Sequence, residues 1–164
     1  MAKNQEEQPL LPSVFDRLMD DEPENSQESP RSAIQTMRDI RVSVRRDLEN
    51  LLNTRWRVSA WPLDYEQLNR SLVNYGIPDF SSIDMSSDMD RDSLRVAVEE
   101  AIRIYEPRFV SVKVELIEND DSADRTLRFL IHAELHATPN PEPIVFDSRV
   151  EAGDQLFKVR RKDR

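Results

Sequence analysis

The triplet Glu106-Pro107-Arg108 sets a carboxylate and a guanidinium on either side of a proline. Such a carboxylate can serve as a general acid, bind a partner's cation, or anchor its own chain. Proline has no amide hydrogen and keeps the residue before it out of helical geometry, so Glu106 must end whatever helix precedes it. A carboxylate there faces the negative end of the helix dipole, which costs about 0.3–1 kcal/mol when exposed and calls for a donor. Arg108, two residues on in an extended chain, projects to the same side and can supply a two-pronged bond. A salt-bridged helix stop, a binding site and a catalytic acid are all compatible with the triplet.

The catalytic reading needs more. A glycosidase using Glu106 as its acid requires a second carboxylate at roughly 5–9.5 Å. Glu99, Glu100 and Glu115 are available, but no spacing selects one. A second constellation, His132, Glu134 and His136, alternates along one face of a strand and carries the atom types that zinc takes. The same alternation is what any solvent-facing strand shows. A nucleoside-deaminase pattern fails because the chain has no cysteine, and these two histidines are its only ones. With two glycines in all, phosphate-cradling loops are excluded. No catalytic residue, metal site or cofactor is therefore assigned.

The elements that position these residues follow from periodicity. Ser32 opens a helix of about five turns with Ile34, Met37, Ile40, Val44, Leu48, Leu51 and Leu52 at three- and four-residue steps. Arg38, Arg41 and Arg45 share its other face, as a solvated surface or a contact for an acidic partner. A second helix is expected from Asp64 and Gln67, carrying Leu68, Leu72 and Val73 and stopped at Gly76. A third covers about 90–105, with Leu94, Val98, Ala101, Ile102 and Tyr105 on one side. After Pro107 the period becomes two. Strands are predicted at about 109–117, 126–136 and 143–150. Helices followed by a meander indicate an α+β fold, three main helices packed on a small antiparallel sheet of about three strands.

Three regions follow. Residues 1–31 form an N-terminal arm with a short helix around Val14, Phe15, Leu18 and Met19 and a flexible acidic linker; the helix either folds back or docks on a partner. Residues 32–152 form the domain, and residues 153–164 a basic tail. The net charge is −9, and residues 1–30 hold eight acids and two bases. Such a chain lacks the basic footprint that nucleic acid needs. No apolar run suits a membrane span or a signal peptide, so no membrane insertion is expected and the chain reads as cytoplasmic.

The segments "LLPSVFDRLMDDEP", "SLVNYGIPDFSS" and "IRIYEPRF" resemble the TssE family of type VI secretion baseplate subunits, within the tail lysozyme-like family of phage baseplate wedge proteins. The resemblance runs from about residue 9 to 150. Despite the lysozyme-like name, it implies a structural subunit and no enzyme. The implied partners are the baseplate subunits TssF, TssG and TssK and the sheath subunits TssB and TssC, whose first ring such a protein templates. The signature falls on Glu106, Pro107 and Arg108, expected to bind a partner. An accessible edge on the third strand would accept a sheath strand, with Phe146 and Ser148 as the residues to probe. The alternative is a peptidoglycan glycosidase using Glu106, which would need export.

Overall fold

The computed structural model describes residues 16, 18, 24, 33–56, 65–69, 71–81, 84, 87–117, 126–137, 140–150 and 156–162. Helix α1 spans Ala33–Asn53, a single helical turn α2 spans Glu66–Asn69, a 3-10 turn spans Leu72–Asn74, and α3 spans Asp88–Tyr105. Strands β1 (Phe109–Ile117), β2 (Leu127–Leu135), β3 (Glu142–Val150) and β4 (Phe157–Arg161) follow, in spatial order β1-β2-β3-β4. All neighbouring strands are antiparallel. The α+β reading and the meander stand. No described helix is long and apolar enough to cross a membrane.

The core lies between the two long helices and one face of the sheet. Ile40, Val44, Leu48, Leu51 and Leu52 of α1 are buried, as are Leu94, Val98, Ala101 and Ile102 of α3. They meet the alternating sheet residues Val114, Phe129, Ile131, Leu135, Ile144, Phe146 and Val150. Ser87 caps α3, its hydroxyl accepting from the Asp90 amide, and Asp88 and Asp90 sit in the first turn, where the helix dipole favours acids.

Two expectations on element count fail. The second helix is one turn broken at Ser71, whose hydroxyl donates to the Leu68 carbonyl and caps the 3-10 turn instead. Leu72 and Val73 are exposed, so the turn has no apolar stripe to extend it. The sheet also has a fourth strand, in the segment expected to be a basic tail. Phe157 and Val159 alternate there with Lys158 and Arg160, and both apolar residues are buried. Burying a phenylalanine contributes roughly 1.5–3 kcal/mol, enough to draw a charged strand onto the sheet. Phe157 packs against Phe80 edge-on at 5.8 Å and stacks on Phe129 at 5.9 Å.

The fourth strand overturns the edge reading of β3. That strand is paired on both sides, and Phe146 and Ser148 are both 0% exposed. The edges are β1 and β4, and helix side chains cap both. The Val114 amide donates to Glu99 Oε2 at 3.0 Å, and Arg95 Nη1 reaches the Val114 carbonyl at 3.4 Å. On β4 the side-chain amide of Asn53 closes both bonds of Phe157: the Phe157 amide donates to Oδ1 at 2.8 Å and Nδ2 donates to its carbonyl at 2.9 Å.

The three arginines of α1 divide. Arg38 is exposed. Arg41 pairs with Glu142, and Arg45 with Glu49 while its Nη1 reaches the Val159 carbonyl. Two of the three thus join helix to sheet. Ser32, residues 118–125 and most of the N-terminal arm lie outside the described residues. Asp16 and Leu18 are described as helical, and Asp16 accepts from Arg46 at 2.8 Å.

Candidate partner-binding site at the helix-to-strand junction

Glu106 caps the C-terminus of α3. Its amide still donates to the Ile102 carbonyl at 2.9 Å, but its backbone has left the helix, at φ −115° and ψ 81°. Pro107 forbids the next helical bond, as the triplet requires. The chain then turns into β1, with the Phe109 amide donating back to the Glu106 carbonyl at 3.3 Å. The Arg108 carbonyl accepts from the His136 amide at 2.9 Å, so the strand pairing begins at the signature itself. A β-bulge between Phe109 and Ser111 follows at once.

The expected fork is present. Arg108 Nε donates to Glu106 Oε1 at 2.6 Å and Nη2 to Oε2 at 2.5 Å. The Arg108 backbone amide also donates to Oε1, at 3.2 Å. The guanidinium goes further than the triplet suggests. Its Nη1 donates to Ser43 Oγ at 2.9 Å and its Nη2 to Asp47 Oδ2 at 2.8 Å, both on α1. Ser43 is buried, and its hydroxyl donates to the Ile40 carbonyl at 3.2 Å. Asp47 Oδ1 accepts from Arg46 at 3.0 Å.

Glu106 is only 4% exposed, so its charge depends on this single arginine. Burial would lower the Arg108 pKa, but the bonds and charges of Glu106 and Asp47 outweigh it and raise it. Ser43 and Asp47 were not foreseen. The available signal was their i,i+4 spacing beside the α1 apolar stripe, two small polar residues where a helix turns inward.

Beside the bracket lies an open recess of about 380 Å³, lined by Asp47, Leu51, Tyr75, Tyr105, Glu106, Pro107 and Arg108. The two tyrosine rings meet edge-on at 5.3 Å, and the Tyr105 hydroxyl donates to the Ser71 carbonyl at 3.0 Å. Burial pushes the Tyr75 pKa up, the Asp47 and Glu106 charges push it further, and Arg108 opposes them. Tyr75 is placed by a sharp turn at Gly76, whose φ is 115°. The Ile77 amide donates to the Thr54 carbonyl at 2.9 Å and the Trp56 amide to the Ile77 carbonyl at 3.1 Å, pinning this segment to the end of α1.

The second carboxylate at the recess is Asp47, not Glu99, Glu100 or Glu115. Glu99 and Glu100 both accept from Arg103, at 2.7 and 2.6 Å, and Glu115 from Lys113, at 2.7 Å. His132, Glu134 and His136 do not converge: Glu134 accepts from Ser111 at 2.8 Å, His132 Nε2 is 3.6 Å from Glu115, and His136 is exposed. Among the described residues no three histidine or acidic groups are placed to hold a metal.

The sequence profile of a family described as "Baseplate wedge protein gp25" matches residues 38–140, which contain Glu106, Pro107, Arg108, Ser43 and Asp47. No curated protein matches. A chain from the solved structure "The baseplate complex from the type VI secretion system" is similar in structure at 16% identity, covering 77% of this chain and 97% of that one with a TM-score of 0.45.

Proposed function

This chain belongs to the baseplate wedge protein gp25 family, and on that premise we propose that it is a non-enzymatic baseplate subunit of a type VI secretion system. It joins wedge subunits of the TssF, TssG and TssK kind and templates the first ring of a TssB–TssC sheath. Glu106, Pro107 and Arg108 form the rigid floor of a partner-binding recess, with the two tyrosines as its wall. The observation that supports this most is the state of the two carboxylates at the recess. Both oxygens of Glu106 and one of Asp47 accept from the single Arg108 guanidinium, so the cluster is a brace between helix and strand.

The glycosidase reading draws on one specific feature, two carboxylates lining one recess. A general acid must reach the leaving oxygen with a free carboxyl. Here Arg108 covers both oxygens of Glu106, which favours the structural reading.

The experiment is affinity purification of the full chain from its native host with mass spectrometry, alongside a muramidase assay on purified cell wall. Recovery of wedge and sheath subunits, and their loss on changing Tyr75 or Tyr105 to alanine in a folded protein, supports the proposal. Release of wall fragments that disappears in Glu106→Gln would replace it with the glycosidase.

A further inference from the structure

The outward face of the sheet carries a second surface, on the side opposite the helices. Arg128 of β2 stands directly across from Arg149 of β3, and Arg149 directly across from Lys158 of β4. One row over, Asp147 stands across from Arg160. Three strands therefore present four cations around one carboxylate. Asp147 Oδ2 accepts from Arg128 Nη2 at 2.8 Å, and its Oδ1 lies 3.5 Å from Arg149 Nε. Arg149 is 53% exposed, and Lys158 and Arg160 are exposed.

Like charges directly opposite each other on a sheet repel and destabilise the pairing. Two such contacts in one row, in a chain whose net charge is −9, concentrate positive potential where the rest of the molecule is acidic. Leu130 and Val145, on the neighbouring rows of the same face, are half-buried, so apolar surface adjoins the cations. No phenylalanine, tyrosine or tryptophan stands on this face of the described strands, so it lacks the large rings on which unpaired bases would stack.

We propose that this outward face of β2, β3 and β4 binds an acidic polypeptide segment of a partner protein, one with apolar residues alternating with its acids. Arg149 and Arg160 take the carboxylates, and Leu130 and Val145 take the apolar side chains between them. Asp147 holds Arg128 and Arg149 in place before the partner arrives. The surface is remote from the Glu106–Arg108 recess and does not depend on the reading of that site.

The test is fluorescence anisotropy of the full chain with a labelled alternating Glu–Val peptide, with poly-L-glutamate and a single-stranded DNA 20-mer as competitors. Saturable binding that weakens as salt rises, and that drops at least tenfold in an R149Q/R160Q double variant, is expected. Arg103→Gln, an exposed change on α3, should leave it unaltered. Circular dichroism confirms that each variant is folded. Binding that is absent, or equal in the double variant, overturns the proposal. So does stronger binding to the DNA. Carbodiimide cross-linking gives a further arm: a Lys158 link to the peptide supports the proposal. Links only to acids of residues 6–28 of the same chain, or to a second copy, overturn it.

Discussion

Arg108 Nη2 lies 2.8 Å from Asp47 Oδ2 across 61 residues of chain, and so ties the first residue before the sheet to the middle of α1. The same nitrogen serves Glu106, at the end of α3. Three elements thus share one guanidinium, and its loss should be felt as lost stability before it is felt as lost binding.

Arg108→Met leaves a carboxylate that is 4% exposed without its cation. Removing one partner of such a pair costs about 3 kcal/mol or more, because the remaining charge is uncompensated. The E106Q/R108M double variant should cost less than Arg108→Met alone, since it buries no unpaired charge. Urea denaturation of the three proteins checks both statements. A midpoint for Arg108→Met equal to wild type would mean the pair is free to serve a partner alone.

Gly76→Ala should destabilise by about 2 kcal/mol or more, because two penalties coincide. The φ of 115° is rarely adopted by a residue with a side chain, and an added Cβ would lie 2.3 Å from the Thr54 carbonyl oxygen. The clashing atom is a backbone carbonyl just past α1 that also accepts from the Ile77 amide, so moving it disturbs that bond. The variant should also disturb the Tyr75–Tyr105 contact, visible as a change in the near-ultraviolet circular dichroism. A thermal midpoint at or above wild type would contradict the geometry.

Asn53→Ala should loosen β4 selectively. Its side chain closes the outward amide and carbonyl of Phe157, and each buried group left unpaired costs about 1–3 kcal/mol. Hydrogen exchange at the Phe157 amide should quicken far more than exchange at Phe129 in the middle of the sheet. Equal acceleration at both would indicate global destabilisation and no special role at the edge.

The acid limb of the stability curve should contain Asp147. Burial tends to raise its pKa, but the bonds and charges of Arg128 and Arg149 prevail and hold it below the ordinary carboxylate value. A folded pKa below the unfolded one means that the unfolded chain binds the proton first. The stabilisation is therefore complete above the unfolded value near pH 4 and is lost as pH falls through the folded value. Asp147→Asn should lower stability at pH 7 and flatten the curve below about pH 4. Chemical denaturation at stepped pH measures it; an unchanged acid limb would show that the two arginines do not act on Asp147 in this way.

Much of the fold is legible in residue order because it depends on local repetition. The apolar steps from Ile40 to Leu52 mark α1, those from Leu94 to Ile102 mark α3, and the alternation along β1, β2 and β3 follows the period of two. Pro107 imposes the helix stop whatever surrounds it, and Arg108 two residues later lies within reach of Glu106. Leu68, Leu72 and Val73 fit a helical stripe in the sequence, yet Leu72 and Val73 are exposed and only one helical turn forms there.

What the sequence by itself determined was therefore each element that carries its own period, together with the Glu106–Arg108 fork. Only the tertiary structure decided where β4 lies, what covers the two sheet edges, and that Ser43 and Asp47 complete the bracket. The physical reason is range. Phe157 and Val159 form too short a pattern to outweigh their cationic neighbours until the apolar face of β3 and Phe80 is there to receive them. A buried carboxylate demands a cation, but its spacing along the chain does not say that the cation will also reach α1.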